Sequence, residues 1–204
     1  MPLLHSATSV IFFAHIPKTG GSSLEHWLAG RGQLRLRGRT PLPGARCTPQ
    51  HMHAADYAPL LEGQLIDAEF AVLRDPVARM VSEYRYRRAQ VLKRGRREMP
   101  PFERWAARAM RLYAQDPYFL DNHIRPQAQF VRATTRLFAF EAGLAPITHW
   151  LEAFCGVSGP KLEHRLASTG KDVPVSAAMR ARIEAFYAED YALIAQSFGG
   201  TKNG

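Results

Sequence analysis

The residues with the clearest chemical potential lie in a short polar turn near the start of the chain. Its sequence is Pro17-Lys18-Thr19-Gly20-Gly21-Ser22-Ser23. Pro17 stiffens the entry, while Gly20 and Gly21 permit positive φ angles and close backbone approach. The serine hydroxyls lie where a helix would begin with unpaired N–H groups, and the Lys18 ammonium adds a full positive charge. This combination predicts an anion-binding turn, with phosphate as the natural ligand.

The segments on either side of this turn predict a strand followed by a helix. Residues 10–14 are apolar and rich in β-branched and aromatic side chains, which is typical of a buried strand. Leu24, Trp27 and Leu28 then recur at helical spacing. Because Lys18 precedes the glycines and no Gly-Lys-Ser/Thr follows them, the turn is not a Walker A loop.

A second junction of the same kind occurs later in the chain. The apolar run 70–73 predicts a strand, Asp75 is placed to cap the next helix, and Pro76 occupies its first position, where no N–H is needed. Ser82 follows Asp75 by seven residues, about two helical turns, so it shares a helix face with the residue beside Arg74. An arginine and a serine are therefore expected to converge on a second anion.

Together the two motifs resemble those of sulfotransferases that use 3′-phosphoadenosine 5′-phosphosulfate (PAPS), especially the carbohydrate branch that contains the heparan sulfate 2-O-sulfotransferases. The resemblance implies that residues 17–23 bind the 5′-phosphosulfate and that Arg74 and Ser82 bind the 3′-phosphate, with 3′,5′-ADP as a product. It also implies an α/β, P-loop-like sulfotransferase fold, in which a mainly parallel central sheet is flanked by helices. Residues 1–204 are expected to form a single domain.

Two histidines between the motifs are candidates for the base that sulfonyl transfer to a hydroxyl requires. His51 and His53 lie two residues apart and do not share a helix face, so we expect at most one to point into a given site. Imidazole, with a reference pKa of about 6.5, suits proton removal near neutral pH. The resemblance places His51 at the family's catalytic histidine, because Asp56 and Tyr57 then match the acidic-aromatic pair that follows it, with His53 as the second candidate. It implies as well that Lys18 stabilises the departing phosphate and that no metal is required.

The resemblance extends to a polar segment later in the chain. Similar His-x-Arg-Pro-Gln segments occur in carbohydrate sulfotransferases, which implies that His123 and Arg125 face the acceptor. The expected acceptor is a hydroxyl group on a glycan or a glycolipid, with a small metabolite as the next choice.

Composition limits the class of protein. A chain of 204 residues is long enough for one domain with a proper core. Its formal net charge of +9 predicts attraction to nucleic acid, to an anionic membrane surface, or to a doubly phosphorylated nucleotide with an acidic acceptor. No run approaches the roughly 20 apolar residues of a membrane span, and the first strand begins too early for a signal peptide. The sequence therefore predicts a cytoplasmic, prokaryotic enzyme.

Several segments outside the motifs carry weaker signals. Residues 31–50 are expected to form a basic loop, either as a funnel or lid for the acceptor or simply as a solvated loop. A basic run at 87–97 can bind an acidic glycan or remain a solvated face. Residues 156–175 are expected to be a loop that covers the cofactor or lies on the surface. A final helix is expected from Ser176, followed by a tail at 198–204.

Two other functions fit part of the pattern. An ATP-dependent phosphotransferase would need a lysine after the glycines and an acidic Mg²⁺ ligand, for which Asp75 is the candidate. A basic nucleic-acid-binding module would interleave aromatic residues with the Lys/Arg runs, and residues 31–46 contain no aromatic side chain.

Overall fold

The computed structural model describes residues 1–95, 98–155 and 173–199. Its centre is a five-stranded sheet in the order β3-β1-β2-β4-β5. The strands are β1 (Leu3–His5), β2 (Val10–Ala14), β3 (Gln33–Arg35), β4 (Ala68–Leu73) and β5 (Arg136–Ala139). The helices are α1 (Gly21–Ala29), α2 (Ala54–Leu61), α3 (Pro76–Lys93), α4 (Phe102–Gln115), α5 (Ala145–Cys155), α6 (Ala177–Phe186) and α7 (Ala188–Phe198).

The sheet is parallel through its centre. β2, β4 and β5 run parallel to one another, whereas β1 is antiparallel to both of its neighbours. The register pairs Ala14 with Ala71 and Leu73 with Ala139, so the carboxyl ends of three strands meet at one edge. The expected α/β fold, with a mainly parallel central sheet flanked by helices, is confirmed.

The sequence pattern does not predict β1 and β3, the two strands on one side of the sheet. The assignment of residues 31–50 to a loop is therefore corrected, because β3 lies within that segment. Each of these strands has three residues, too few to show an alternation of apolar and polar side chains. In β3 the one side chain packed against the core is Leu34, so pairing with β1 determines this strand more than its own sequence does.

Helices cover both faces of the sheet, which explains why its central strands are almost entirely apolar. Ile11 and Phe13 of β2 pack with α1 and α5 on one face, whereas Phe12 and Ala14 pack with α2 and α7 on the other. Phe13 also stacks on Phe70 of β4, with ring centroids 4.7 Å apart. This packing holds the ends of the central strands in place and thereby fixes where the following loops begin.

A third apolar cluster joins α3, α4 and α6. Ser176 caps α6 by accepting the Met179 N–H, as its position at the start of the final helix suggests. The single final helix expected from Ser176 is corrected, because the chain breaks at Tyr187 into α6 and α7. The Tyr187 hydroxyl donates to the buried Ile124 carbonyl at 2.8 Å, which draws this residue inward and out of the helical conformation.

Within the described ranges, no helix combines the length and the apolar character needed to cross a bilayer. Most of the expected cofactor-covering loop at 156–175 lies outside those ranges, as do Arg96, Arg97 and the tail beyond Gly199. The single-domain organisation, the cytoplasmic location and the prokaryotic origin stay predictions.

Candidate active site

The loop between β2 and α1 has the geometry of an anion-binding turn. Lys18 and Gly20 adopt left-handed backbone angles, with φ of 72° and 86°, and the Thr19 hydroxyl donates to the Ile16 carbonyl at 2.9 Å. Gly20 is the N-cap of α1 and supplies no side-chain oxygen to the first helical turn. The Ser23 N–H bonds to the Gly20 carbonyl at 3.1 Å, so the N–H groups that can meet an anion here are those of Gly21 and Ser22. Such an anion also meets the partial positive charge of the helix end.

The two glycines of this loop are required for different reasons. Gly20 has the positive φ that residues with a side chain rarely adopt. Gly21 has no space for a side chain, because a Cβ atom there would collide with the imidazole of His15. His15 is buried, and its Nδ1 lies 2.5 Å from Glu25 Oε1 on α1. At Gly21 the close packing thus has a specific cause, the imidazole beneath the loop.

Arg74 reaches the same loop from the end of β4. Its Nη1 donates to the Lys18 carbonyl at 3.0 Å, and its guanidinium carbon lies 4.3 Å from the centroid of the Phe140 ring. Gln127 Oε1 accepts the Arg74 backbone N–H at 2.9 Å, which fixes the start of the side chain. The Nε–H of Arg74 is buried and has no hydrogen-bond partner among the described residues. The two sequence motifs therefore lie in one site, with a guanidinium donor still free to bind.

The helix that follows Arg74 begins differently from α1. Asp75 Oδ1 accepts the Ala78 N–H at 2.7 Å, and Pro76 occupies the first position, as the sequence predicts. The start of α3 is therefore capped by the protein itself, unlike the start of α1. Ser82 is buried on α3, and its contact with a 3′-phosphate stays a prediction.

The Lys18 ammonium lies above the ring of Tyr86 on α3, 4.3 Å from the ring centroid. Burial lowers the pKa of Lys18, Glu83 raises it, and the positive charges of Arg74 and Arg87 lower it further. A cation in these surroundings gains more from a bound anion than a fully hydrated one does, because water screens the attraction less.

His51 is the middle member of a cluster of three imidazoles, of which His15 and His51 are buried and His123 is half-buried. Its ring meets those of His15 and His123 edge to face, at centroid distances of 5.3 Å and 4.7 Å. Its Nδ1 lies 2.7 Å from Asp121 Oδ2. Burial lowers the pKa of His51, and the hydrogen bond to Asp121 offsets this only in part. The imidazole is therefore neutral near pH 7, the state in which it can accept a proton.

A second carboxylate holds His123 in the same way. The Nδ1 of His123 lies 2.7 Å from Glu83 Oε2. Burial alone would raise the pKa of Glu83, but the hydrogen-bonded His123 and an adjacent arginine lower it to about 2. The ring of Tyr86 stacks on His123 at a centroid distance of 6.1 Å. Contacts through Tyr86 and His123 thus connect Lys18 with His51.

The other two predicted site residues make different contacts. His53 is the N-cap of α2, with its Nδ1 2.5 Å from Asp56 Oδ2 and its ring edge-on to Tyr118. Arg125 is 5% exposed, and its guanidinium donates to oxygens of Asn122, Gln129 and Pro117. These bonds stabilise the segment around Arg125, and the roles of His53 and Arg125 in the reaction stay predictions.

His51, Asp121 and His123 also have the composition of a metal site, since one possible ligand atom from each lies within 4.8 Å of the others. However, Asp121 Oδ1 accepts the Thr48 N–H at 2.7 Å, and Oδ2 accepts the Thr48 hydroxyl at 2.8 Å as well as the His51 hydrogen bond. Both carboxylate oxygens of Asp121 thus already accept hydrogen bonds. This favours a role for Asp121 in orienting His51 rather than in binding a metal ion. That the reaction needs no metal stays a prediction.

A groove with a volume of about 260 Å³ extends along α3 from the site. It is lined by Tyr86, Arg87, Gln90, Val91 and Arg94. Because Tyr86 contacts both Lys18 and His123, this groove can lead an anionic molecule toward the cluster. A larger cavity of about 520 Å³, between α3, α4 and the start of α6, contains none of the predicted site residues.

Sequence reasoning missed the residues that hold the imidazoles in place. They are His15, Glu25, Glu83 and Asp121, and the paired residues lie 10, 40 or 70 positions apart in the chain. No local pattern links such pairs. The one sequence signal that could have identified two of them is proximity to the motifs in the chain. His15 lies just before the glycine turn, and Asp121 lies two residues before His123.

Sequence comparison relates the chain to a known family. A family model described as Sulfotransferase family matches residues 2–193. No curated protein and no solved structure matches the chain significantly. The matched range includes all five strands, both anion motifs and the imidazole cluster.

Proposed function

Since the chain belongs to the sulfotransferase family, we propose that it transfers a sulfonyl group from PAPS to an acceptor hydroxyl, giving a sulfate ester and 3′,5′-ADP. Within the family we propose the carbohydrate branch, with a glycan or glycolipid as acceptor and no metal ion. The resemblance of both sequence motifs to that branch supports this choice.

The observation that carries the proposal is the contact between Arg74 and the glycine turn. A nucleotide phosphorylated at its 3′ and 5′ positions needs two neighbouring anion sites. The start of α1 with Lys18 offers one, and the free Nε–H of Arg74 offers the other. ATP carries its phosphates in a single chain at the 5′ position, so its binding does not require a second anion site.

The phosphotransferase alternative has less support. Its candidate Mg²⁺ ligand is Asp75, whose Oδ1 caps α3 through the Ala78 N–H and whose Oδ2 accepts from the Tyr191 hydroxyl at 3.2 Å. Both oxygens therefore serve the packing of helices. Lys18 also precedes the glycines, where a Walker lysine would follow them.

In the proposed reaction, residues 17–23 hold the 5′-phosphosulfate through backbone N–H groups, with the Ser22 and Ser23 hydroxyls. The Thr19 hydroxyl instead supports the turn through its bond to Ile16. Lys18 stabilises the negative charge that grows on the departing phosphate oxygen as the sulfur–oxygen bond breaks. Because the ammonium is already beside the loop, little reorganisation is needed at that moment.

His51 is the proposed base that removes the proton of the acceptor hydroxyl, with His53 as the second candidate. The neutral state of His51 and its place in the imidazole cluster support the first choice. His123 lies beside it and is proposed to face the acceptor. The basic groove along α3 suits an acceptor that carries negative charge.

Calorimetry with two nucleotides tests the cofactor assignment. We expect 3′,5′-ADP to bind at least about tenfold more tightly than 5′-AMP, since a hydrogen bond to a charged group contributes about 1.5–3 kcal/mol. Arg74→Ala should remove most of this preference. Arg88→Ala, which removes an exposed arginine paired with Glu98, is the charge-matched control and should retain it. Equal affinity of the original protein for both nucleotides would refute the 3′-phosphate site.

The acceptor class is then identified by transfer of radiolabelled sulfonyl groups from PAPS to glycans, glycolipids and small alcohols. Lys18→Ala serves as the inactive control in this screen. Transfer to a small alcohol alone would overturn the carbohydrate assignment while leaving the proposed reaction intact.

A further inference from the structure

Two histidine–aspartate pairs in the chain have almost the same local geometry. His51 Nδ1 lies 2.7 Å from Asp121 Oδ2, and His53 Nδ1 lies 2.5 Å from Asp56 Oδ2. Both aspartates also accept other hydrogen bonds. The difference lies in their surroundings, because His51 contacts His123 and through it the Lys18 side of the site, whereas the ring of His53 contacts Tyr118.

The backbone that carries Asp121 is unusual. Leu120, Asp121 and Asn122 form three consecutive left-handed residues, with φ of 58°, 58° and 63°. Residues with a side chain adopt this conformation at a cost, and a run of them persists only where surrounding contacts enforce it.

Three successive side chains of this segment contact His51. The Asp121 carboxylate meets Nδ1, the Asn122 side-chain amide donates to the His51 carbonyl at 2.8 Å, and the His123 ring meets the imidazole edge to face. The left-handed turn and the residue after it therefore hold His51 through three contacts: a hydrogen bond to its ring, a hydrogen bond to its backbone carbonyl and an edge-to-face ring contact.

Asp121 also determines which imidazole nitrogen carries the proton. An ionised carboxylate can only accept hydrogen bonds, so the neutral His51 ring must carry its proton on Nδ1 and a lone pair on Nε2. Although burial would raise the pKa of Asp121, the hydrogen bonds from His51 and Thr48 together hold it below its usual range. The carboxylate is thus ionised whenever His51 is neutral.

We propose that Asp121 is a positioning residue that fixes His51 as the base of the reaction, with Nε2 as the atom that takes the acceptor proton; this rests on the proposed function. In the step itself, the acceptor oxygen forms a bond to sulfur while its proton moves to His51 Nε2. The bond between sulfur and the bridging phosphate oxygen breaks, and its electron pair stays on that oxygen, releasing 3′,5′-ADP. Asp121 then stabilises the imidazolium that results.

Asp121→Asn tests the tautomer directly. The Thr48 N–H can only donate, so the oxygen of the new amide must face it, and the amide NH₂ must take the place of Oδ2. That NH₂ donates to His51 Nδ1 and drives the imidazole proton to Nε2, where it blocks the proposed base. We expect turnover of PAPS with water as acceptor, and with the best acceptor of the screen, to fall about a hundredfold or more. Affinity for 3′,5′-ADP should stay within about threefold.

Asp56→Asn is the matched control, because it changes the same kind of pair at His53. It should leave turnover within about threefold of the original value. Long-range ¹H–¹⁵N spectra of histidine-labelled protein, with His51→Gln to assign the signal, report the tautomer without any substrate. The original protein should show His51 protonated on Nδ1, and Asp121→Asn should show it protonated on Nε2.

The possible outcomes distinguish a failure of the role proposed for Asp121 from a failure of the proposed sulfonyl transfer. A fall in turnover for Asp56→Asn but not for Asp121→Asn would overturn the proposal and make His53 the base. An unchanged tautomer in Asp121→Asn would overturn it whatever the turnover. Failure of 3′,5′-ADP to bind the original protein would refute the proposed cofactor, while the spectra would still decide whether Asp121 sets the His51 tautomer.

Discussion

The loop after β2 is joined to Arg74, at the end of β4, through the backbone of Lys18. Lys18 has a left-handed φ of 72°, which a residue with a side chain adopts only under constraint. Arg74 supplies part of that constraint, because its Nη1 binds the Lys18 carbonyl at 3.0 Å. The arginine expected to bind the 3′-phosphate thus also shapes the turn expected to bind the 5′-phosphosulfate. Loss of Arg74 should therefore disturb both ends of the nucleotide site.

The packing beneath the loop leads to a prediction for Gly21→Ala. The added Cβ atom would overlap the His15 imidazole, so the ring or the start of α1 must move. We expect the free energy of unfolding in urea to fall by about 1–3 kcal/mol, the usual cost of overpacking. In a His15→Ala background the same change should cost less, because the obstructing ring is gone. An equal cost in both backgrounds would contradict the clash.

At the scale of elements, the two helices that begin at the site have opposite kinds of N-terminus. α1 begins at Gly20 without a side-chain cap, whereas the Asp75 side chain caps α3. An open helix end costs stability and is useful where an anion can complete it. If the proposed function holds, this difference predicts that a helix N-terminus binds the 5′ end of the nucleotide and that side chains bind its 3′ end.

The cap of α3 leads to a second prediction. Asp75→Ala should lower the free energy of unfolding by about 1 kcal/mol, because the Ala78 N–H loses its partner. Asp75→Asn should cost much less, since asparagine caps equally well. Ser176→Ala removes the corresponding bond to the Met179 N–H on α6 and gives the comparison for a cap away from the site. Urea unfolding of the variants measures all three, and an equal loss in Asp75→Asn and Asp75→Ala would contradict the capping role.

The elements that sequence could predict are those whose signals are local. The β2 and β4 junctions follow from apolar runs, glycines and a capping aspartate, all within about a dozen residues. The strand β3 could not be predicted, because it exists through pairing with β1 and has little pattern of its own. The break at Tyr187 likewise depends on a hydrogen bond to Ile124, 63 residues away. Asp121 was missed for the same reason, since its partner His51 is 70 residues distant.

Over the whole molecule, some of the acidic groups help to build the interior. Glu25, Glu69, Glu83 and Asp190 are all buried. Their partners include histidines and arginines, as in the contacts of Glu25 with His15 and of Glu83 with His123. Because part of the negative charge lies in the core, the excess positive charge behind the formal net charge of +9 lies mainly at the surface. Such a surface attracts anionic molecules from a distance, as the proposed nucleotide and acceptor would require.

The imidazole cluster predicts how the stability of the whole protein depends on pH. Burial lowers the pKa values of His15, His51 and His123, and their partners Glu25, Asp121 and Glu83 offset this only in part. Below about pH 6.5 the unfolded chain therefore binds more protons at these positions than the folded protein does. The contribution of the neutral imidazoles is fully present above that pH and is lost as the pH falls toward their lowered pKa values.

We expect the free energy of unfolding in urea to decrease between about pH 7.5 and about pH 5.5. The partner carboxylates do not obscure this loss, because the pKa of Glu83 is about 2 and those of Glu25 and Asp121 are lowered as well. Their own contribution is present above their ordinary values of about 4 and is lost only in more acidic solution. His51→Gln should reduce the dependence on pH, whereas His149→Gln, which changes an exposed histidine of α5, should not. A stability that stays constant over this interval would mean that the imidazoles bind protons equally in the folded and unfolded chain, so that their pKa values are not lowered. The case for His51 as a base would then lose its electrostatic support.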